Sequence, residues 1–268
     1  MPSLLNIAAW ESWRPADYFC DYYSHQVEPD EQAAIRFQIE FLRRAGRVFP
    51  RALEYGCGPT LMRAIAASRY VEALDMADHL DGNLHQVNRW ASGNPQADDW
   101  SRFTEYVLRC EGAAEPSQEE TLARELRTRQ TLAEFLRTDA RDPYPLGPDR
   151  VANYDLLISG FCLDCLSQSK AVWRNCMRNV FGLLKPGGSF VILALRGCEG
   201  YLVGPNWFPA ANIQLVDLES ALLECGADPA GLEVAESDLP SHASQGYQGI
   251  LMASGQTLAH LNDSNQLT

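Results

Sequence analysis

The sequence has no long apolar run and few basic residues. None of its apolar stretches approaches the roughly 20 residues that a membrane-spanning helix needs, which argues against a membrane protein. Its 22 lysine and arginine residues stand against 35 aspartate and glutamate residues, for a net charge of −13. Nucleic acids and anionic membranes select basic surfaces, so we expect neither as a partner. The acidity instead favours a cationic or neutral small molecule.

Cysteines are too few and too scattered for a disulfide-stapled scaffold. There are eight in 268 residues, and the pair with metal-like spacing, Cys162 and Cys165, has no second pair like it. A structural zinc site needs four ligands, so we expect no metal and reduced, buried thiols. The first residues also lack the basic and apolar regions of a signal peptide, and these features together predict a cytoplasmic protein.

Apolar runs alternate with amphipathic segments along most of the chain. Strands are predicted at 51–55, 70–77, 103–108, 154–159, 189–195, 231–236 and 249–253. Helices are predicted at 29–49, 60–68, 80–90, 119–136, 169–184 and 217–225. Strands separated by helices predict an α/β fold with a doubly wound, mostly parallel sheet.

We expect a single domain over residues 1–268. Residues 1–48, rich in aromatic side chains, are predicted to form a helical arm or cap on the α/β core at 49–255. The strongly charged stretch 109–137 is predicted to be a surface insertion with a solvated helix. Residues 256–268 are expected to be a disordered tail, and the protein is expected to be a monomer or weak dimer.

The first candidate site is the loop after the first predicted strand. Gly56 and Gly58 allow a sharp turn and let a ligand approach the main chain. A dinucleotide fingerprint would place a third glycine at position 61, where this chain has Leu61. This departure argues against an oxidoreductase that uses a nicotinamide cofactor.

Three further features stand in order at predicted strand ends. Asp78 lies 20 residues after Gly58, where an acidic side chain can bind ribose hydroxyls, although an exposed turn residue is an equal alternative. Asp139 follows a possible short strand and could meet an adenine amine. A Leu-Lys-Pro-Gly-Gly turn at 184–188 precedes a buried strand. Ligands of open α/β sheets bind at these ends of the strands.

Taken together, these features resemble a class I S-adenosylmethionine-dependent methyltransferase with a Rossmann-like sheet. Longer motifs are similar to the family that methylates nicotinamide, phenylethanolamine and thioethers, which includes the indolethylamine enzymes, and suggest a bacterial member. The matching segments are 14–18, 22–23, 54–60, 77–84, 99–100, 159–164, 183–188 and 201–204. The resemblance extends over about 13–253, nearly the whole chain.

The resemblance implies roles for individual side chains. Residues expected to bind S-adenosylmethionine, and its product S-adenosylhomocysteine, are Tyr18, Tyr23, Gly56, Gly58, Thr60, Asp78, Asn83, Asp139, Ala140 and Phe161. Residues expected at the methyl acceptor are Tyr22, Asp164, Glu199, Tyr201 and Trp207. Asp164, Glu199 and Tyr18 are the expected catalytic groups, although Glu199 is equally compatible with a solvated loop acid.

The chain also departs from the family pattern. A tyrosine common after the glycine loop is Met62 here. The nicotinamide enzymes carry an aspartate and a serine where this chain has Ala194 and Ala210, so nicotinamide is not the expected substrate. We expect N-methylation of a small amine or guanidine, for which secondary metabolism is one setting. The alternatives are a nicotinamide-dependent oxidoreductase and a non-catalytic protein that binds S-adenosylmethionine.

Overall fold

The computed structural model describes residue 10, residues 12–239 and residues 246–259. The strands are β1 Phe49–Tyr55, β2 Val71–Asp78, β3 Leu132–Arg137, β4 Tyr154–Gly160, β5 Leu184–Arg196, β6 Gly200–Val203, β7 Asn206–Pro209, β8 Glu233–Asp238 and β9 Gly249–Gln256. The helices are α1 Pro15–Tyr22, α2 Pro29–Ala45, α3 Met62–Ala67, α4 Asp81–Ala91, α5 Ser101–Cys110, α6 Gln118–Thr131, α7 Lys170–Phe181 and α8 Leu215–Glu224. None of the helices described is long and apolar enough to span a membrane.

Seven strands form one sheet in the order β3-β2-β1-β4-β5-β9-β8. The pairs among β1 to β5 are parallel, whereas β9 is antiparallel to both β5 and β8. This sheet confirms the predicted doubly wound, mostly parallel α/β fold. Because β1, β2 and β4 run in the same direction, the segments that follow Tyr55, Asp78 and Gly160 meet at one edge of the sheet.

Apolar side chains cover both faces of the sheet. One cluster packs α2 and α3 against β1 and β2, and it includes Ile35, Ile39 and Phe49, all nearly inaccessible to solvent. A second cluster on the other face includes Trp173 of α7 and Phe190 of β5. Burial on both faces explains why β4 and the later part of β5 appear in the sequence as continuous apolar runs.

Two predictions of secondary structure were wrong. The strand predicted at 103–108 lies in α5, because Phe103 and Val107 are one helical turn apart and are buried on the same face. The helix predicted at 119–136 ends at Thr131, and β3 follows at once and pairs with β2. The end of the stretch 109–137 is therefore an edge strand of the central sheet, and α6 buries Thr121, Arg124 and Thr128 instead of being fully solvated.

The predicted arm contains α1 and α2, with residues 1–9 and 11 outside the described residues. The hairpin of β6 and β7, which had not been predicted, contacts α1. At the other end, β9 extends to Gln256, and Thr257 forms an isolated bridge with Ala227. The rest of the predicted tail, from residue 260, lies outside the described residues.

Candidate functional site

An open cavity, about 1160 Å³ with its solvent-filled mouth included, lies among the segments that follow β1, β2, β3 and β4 and is flanked by α1. Its wall includes all ten residues predicted to bind the cofactor: Tyr18, Tyr23, Gly56, Gly58, Thr60, Asp78, Asn83, Asp139, Ala140 and Phe161. These residues are up to 143 positions apart in the sequence (161 − 18), and the fold brings them together.

The glycine loop forms the floor of this cavity. Gly56 and Gly58 both have positive φ angles, +69° and +59°. A Cβ atom on Gly56 would lie 1.9 Å from the Cys162 sulfur, so this position admits no side chain unless its surroundings move. The amide nitrogens of Gly56 and Cys57 both donate to the Ala77 carbonyl oxygen, at 2.8 and 3.0 Å, which fixes the loop against β2.

Asp78, at the end of β2, is held in the cavity wall by three hydrogen-bond donors. It accepts hydrogen bonds from the amides of Gly58 and Leu80, both at 2.8 Å, and from Asn83 Nδ2 at 3.0 Å. Burial raises the pKa of Asp78, while these three donors act in the opposite direction. Asn83 Oδ1 also accepts from the Trp13 indole at 2.9 Å, which joins the arm to this side of the cavity.

The arm supplies a pair of linked tyrosines. The hydroxyl groups of Tyr18 and Tyr23 are 3.0 Å apart, and Tyr23 donates to Glu31 Oε1 at 3.4 Å. Burial raises the pKa of both phenols well above the usual range, so both are neutral near pH 7. Tyr18 can therefore shape the cavity and exchange hydrogen bonds, but it does not supply a negative charge.

Asp139 and Ala140 lie after β3, beyond Asp78 on the same side of the cavity. Asp139 accepts from Nε and Nη2 of Arg141. Although partial burial raises the pKa of Asp139, the hydrogen bonds and charge of Arg141 lower it overall. Asp139 is thus an ionised acceptor at the end of the cavity opposite β4.

A second open cavity, about 580 Å³ with its solvent-filled mouth included, adjoins the first. The residues that line both cavities are Tyr18, Tyr23, Glu31, Phe161, Cys165 and Tyr201. Three more acids, Asp21, Glu28 and Asp30, line the second cavity, as do Tyr22 and Tyr247. Asp30 and Glu31, in the first turn of α2, were not among the site residues predicted from the sequence.

Three residues predicted at the methyl acceptor line neither cavity. Asp164 is 2% exposed, and its Oδ2 accepts from the Leu195 amide at 2.9 Å and from the Cys165 thiol at 3.5 Å. Burial raises the pKa of Asp164 to about 6. Glu199 is exposed and accepts from Asn212 at 3.3 Å, and Trp207 is half exposed on the β6–β7 hairpin. Their direct contact with substrate remains a prediction that these cavities do not support.

The other two predicted acceptor residues, Tyr22 and Tyr201, do line a cavity. Tyr201 separates the two cavities and is 7% exposed. Tyr22 lines the second cavity, and its hydroxyl donates to the Leu202 carbonyl oxygen at 2.6 Å. The arm and the hairpin therefore meet beside the second cavity.

A buried charged cluster at the first cavity was missed by the sequence analysis. Arg63, on α3, forms an ion pair with Glu31 of α2, and both side chains are about 95% buried. Glu54, near the end of β1, is 2% exposed, and burial raises its pKa to about 8. The signal was present in the sequence, because Arg63 is the one charged residue in the otherwise apolar helix α3.

Comparison with known proteins identifies the family. A model of the NNMT/PNMT/TEMT family matches residues 3–258. The chain belongs to this family. A mouse indolethylamine N-methyltransferase is 28% identical over 81% of this chain and 82% of its own length. A human nicotinamide N-methyltransferase is 26% identical over 85% of this chain and 87% of its own length. A macaque phenylethanolamine N-methyltransferase is 30% identical over 76% of this chain and 72% of its own length.

Solved structures confirm the fold of this NNMT/PNMT/TEMT family member. The DhpI–S-adenosylhomocysteine complex superposes with a TM-score of 0.57 at 14% identity, covering 95% of this chain and 98% of its own. A Burkholderia thailandensis 1,6-didemethyltoxoflavin N1-methyltransferase superposes with a TM-score of 0.54 at 13% identity, covering 94% of this chain and 88% of its own. Family membership confirms the prediction of an S-adenosylmethionine-dependent N-methyltransferase. It does not favour the oxidoreductase or the non-catalytic alternative.

Proposed function

We propose that the protein transfers a methyl group from S-adenosylmethionine to the nitrogen of a small amine or guanidine that is cationic in solution. The observation that carries this proposal is the lining of the second cavity, which contains four acids: Asp21, Glu28, Asp30 and Glu31. The second cavity adjoins the first, which we call the cofactor cavity. The cofactor supplies an electrophilic methyl group on a sulfonium. The acceptor must therefore reach the wall that the two cavities share.

Charge favours a cation in the second cavity. No lysine, arginine or histidine is among the described residues that line it, whereas the four acids come from two elements of the arm. Aromatic faces add to this preference, because Tyr18, Tyr22 and Tyr23 pack together with ring centroids 5.2–6.3 Å apart. Aromatic faces attract cations, and the attraction strengthens where water is excluded.

The same residues can prepare the nitrogen for attack. A protonated amine has no lone pair for methyl transfer, so a base must accept its proton directly or through water. Burial raises the pKa of Glu31, which makes this carboxylate a stronger base than an exposed glutamate. Holding the acceptor and the sulfonium in line contributes the rest, and such alignment lowers barriers by up to about 7–11 kcal/mol.

In this proposal the arm acids take the place that the sequence analysis gave to Asp164 and Glu199. Asp164 contacts the site through Cys165, whose side chain lines both cavities. Its role is then to hold the wall between the cavities, and Glu199 and Trp207 belong to the outer hairpin. We continue to expect no nucleic acid or membrane partner for a chain with a net charge of −13.

The test is a screen of amines and guanidines with S-adenosylmethionine labelled in its methyl group, read by mass spectrometry. With the best acceptor, Asp21→Asn and Glu28→Gln should each raise KM by about 5- to 10-fold and leave S-adenosylhomocysteine affinity unchanged. Asp149→Asn is the matched control, because Asp149 is exposed and lines neither cavity. Methylation of phenols, thiols or carboxylic acids alone would refute the proposed acceptor class.

A further inference from the structure

We infer that Arg63 binds the α-carboxylate of the cofactor's methionine moiety. The inference rests on S-adenosylmethionine as the cofactor and does not depend on the identity of the methyl acceptor. Arg63 belongs to neither the glycine loop nor the arm motif, so neither motif gives it a role in cofactor binding.

The first observation is an incompletely paired guanidinium. Arg63 lines the cofactor cavity and is 3% exposed, and its Nη2 donates to Glu31 Oε2. Its Nη1 is buried and has no hydrogen-bond partner within the described part of the chain. Buried charged donors are rarely left unpaired, because the lost hydration is not replaced. An unpaired donor at a cavity wall indicates that a ligand completes it.

The second observation is where this guanidinium lies. Its Cζ atom is 5.5 Å from the centre of the Phe161 ring, and a Cβ on Gly160 would lie 3.0 Å from its Nε. Arg63 is thus at the β4 side of the cavity, whereas Asp78 and Asp139 follow β2 and β3 on the other side of β1. A cofactor whose nucleoside lies at Asp78 and Asp139 extends its methionine moiety toward Arg63.

The third observation is that the other cations of the cavity are placed elsewhere. Among the described lining residues, the remaining basic side chains are Arg141 and His79. Arg141 is engaged by Asp139 through two hydrogen bonds, and His79 Nδ1 lies 3.0 Å from the Thr138 carbonyl oxygen. Both therefore belong to the β2–β3 side, which leaves Arg63 as the cation at the β4 side.

The chemistry of a carboxylate fits this position. A guanidinium has five N–H donors in a planar fork, so it can hold Glu31 on one edge and a second carboxylate at Nη1. Glu54, close by, does not cancel the charge of Arg63 at pH 7, because burial raises the pKa of Glu54 to about 8. The α-ammonium beside this carboxylate balances its charge, so the amino-acid end of the ligand adds no net charge to the buried cluster.

The test is isothermal titration calorimetry without any methyl acceptor. S-Adenosylhomocysteine carries the carboxylate and the ammonium, and 5′-methylthioadenosine lacks both. Decarboxylated S-adenosylmethionine lacks the carboxylate but keeps the ammonium, and it also carries the sulfonium. We expect Arg63→Met to weaken S-adenosylhomocysteine binding by about 30-fold or more. The affinities for the other two ligands should change by less than about threefold. The matched control is Arg124→Met, which removes another buried arginine that pairs with a glutamate, Glu111, away from both cavities.

Arg63→Met also leaves Glu31 buried without its partner, so the double variant Glu31→Gln/Arg63→Met provides a second test. Removing the pair together leaves no isolated charge, and the variant should show the same selective loss of S-adenosylhomocysteine. Equal weakening of all three ligands would overturn the inference, because it would indicate a structural role for Arg63. Unchanged affinity for S-adenosylhomocysteine would overturn it as well. Neither result depends on which acceptor the enzyme uses.

Discussion

Replacing Gly56 by alanine should destabilise the protein more than the same change at Gly58, although both lie in the loop under the cofactor cavity. Both glycines have positive φ, and an alanine there costs about 1–2 kcal/mol. At Gly58 the nearest atoms to an added Cβ are 3.9 Å away, so this conformational cost is the whole effect. At Gly56 the Cβ would lie 1.9 Å from the sulfur and 2.5 Å from the Cβ of Cys162.

The additional contact at Gly56 is an overpacking cost, which is about 1–3 kcal/mol in protein cores. Gly56→Ala should therefore lower the free energy of unfolding by about 2–5 kcal/mol, and Gly58→Ala by about 1–2 kcal/mol. Urea unfolding without ligand measures both. In a double-mutant cycle, Cys162→Gly removes both close contacts, so it should recover about 1–3 kcal/mol of the Gly56→Ala loss and none of the Gly58→Ala loss. Equal losses at the two glycines, or no coupling to position 162, would refute the reasoning.

Three other predictions concern single elements of the site. Asp78→Ala should weaken S-adenosylhomocysteine binding by about 1–3 kcal/mol in calorimetry, because the ribose hydroxyls that Asp78 is predicted to bind would lose their acceptor; unchanged affinity would remove Asp78 from the site. Amide hydrogen exchange of α1 should slow when S-adenosylhomocysteine binds, since Tyr18 lines the cofactor cavity, and equal exchange would show that α1 is not a lid. Burial raises the folded-state pKa of Asp164 from its usual 3.8 to about 6, so protonation stabilises the fold as pH falls below 6. This carboxyl should make the protein about 1.4 kcal/mol more stable at pH 5 than at pH 7.5, an increment that Asp164→Asn should lack in urea unfolding at the two pH values.

The parts of the site that could be predicted from the sequence are those fixed by local backbone geometry. Gly56 and Gly58 lie directly after a strand, and Asp78 ends the next one, so fold class alone places them at the same edge. Only a possible short strand before Asp139 was predicted where β3 lies, because β3 begins without a break after α6 and carries the charged residues Glu134 and Arg137. In α5 the spacing of Phe103 and Val107 fits both an alternating strand and a helix over so short a stretch.

The acids of the arm could not be predicted for a different reason. Asp30 and Glu31 occupy the first turn of α2, where acidic side chains are common because they complement the helix dipole. The sequence contains no local sign that this turn faces inward. Its orientation is set by contacts with distant residues, such as the Tyr247 hydroxyl, which donates to Asp30 Oδ2 at 2.7 Å.

Burial distinguishes these acids from the acidic residues of an ordinary helix start. A carboxylate that only complements a helix dipole can remain in water, yet Asp30 is 7% exposed and Glu31 is 4% exposed. Burying a carboxylate costs several kcal/mol, and the ion pair with Arg63 offsets only part of this, since the pKa of Glu31 is still raised. The fold retains this unfavourable arrangement at a side chain that lines both cavities and contacts Tyr23 and Arg63. Because Glu31 lines both cavities, a ligand bound in either one would change the environment of the same carboxylate.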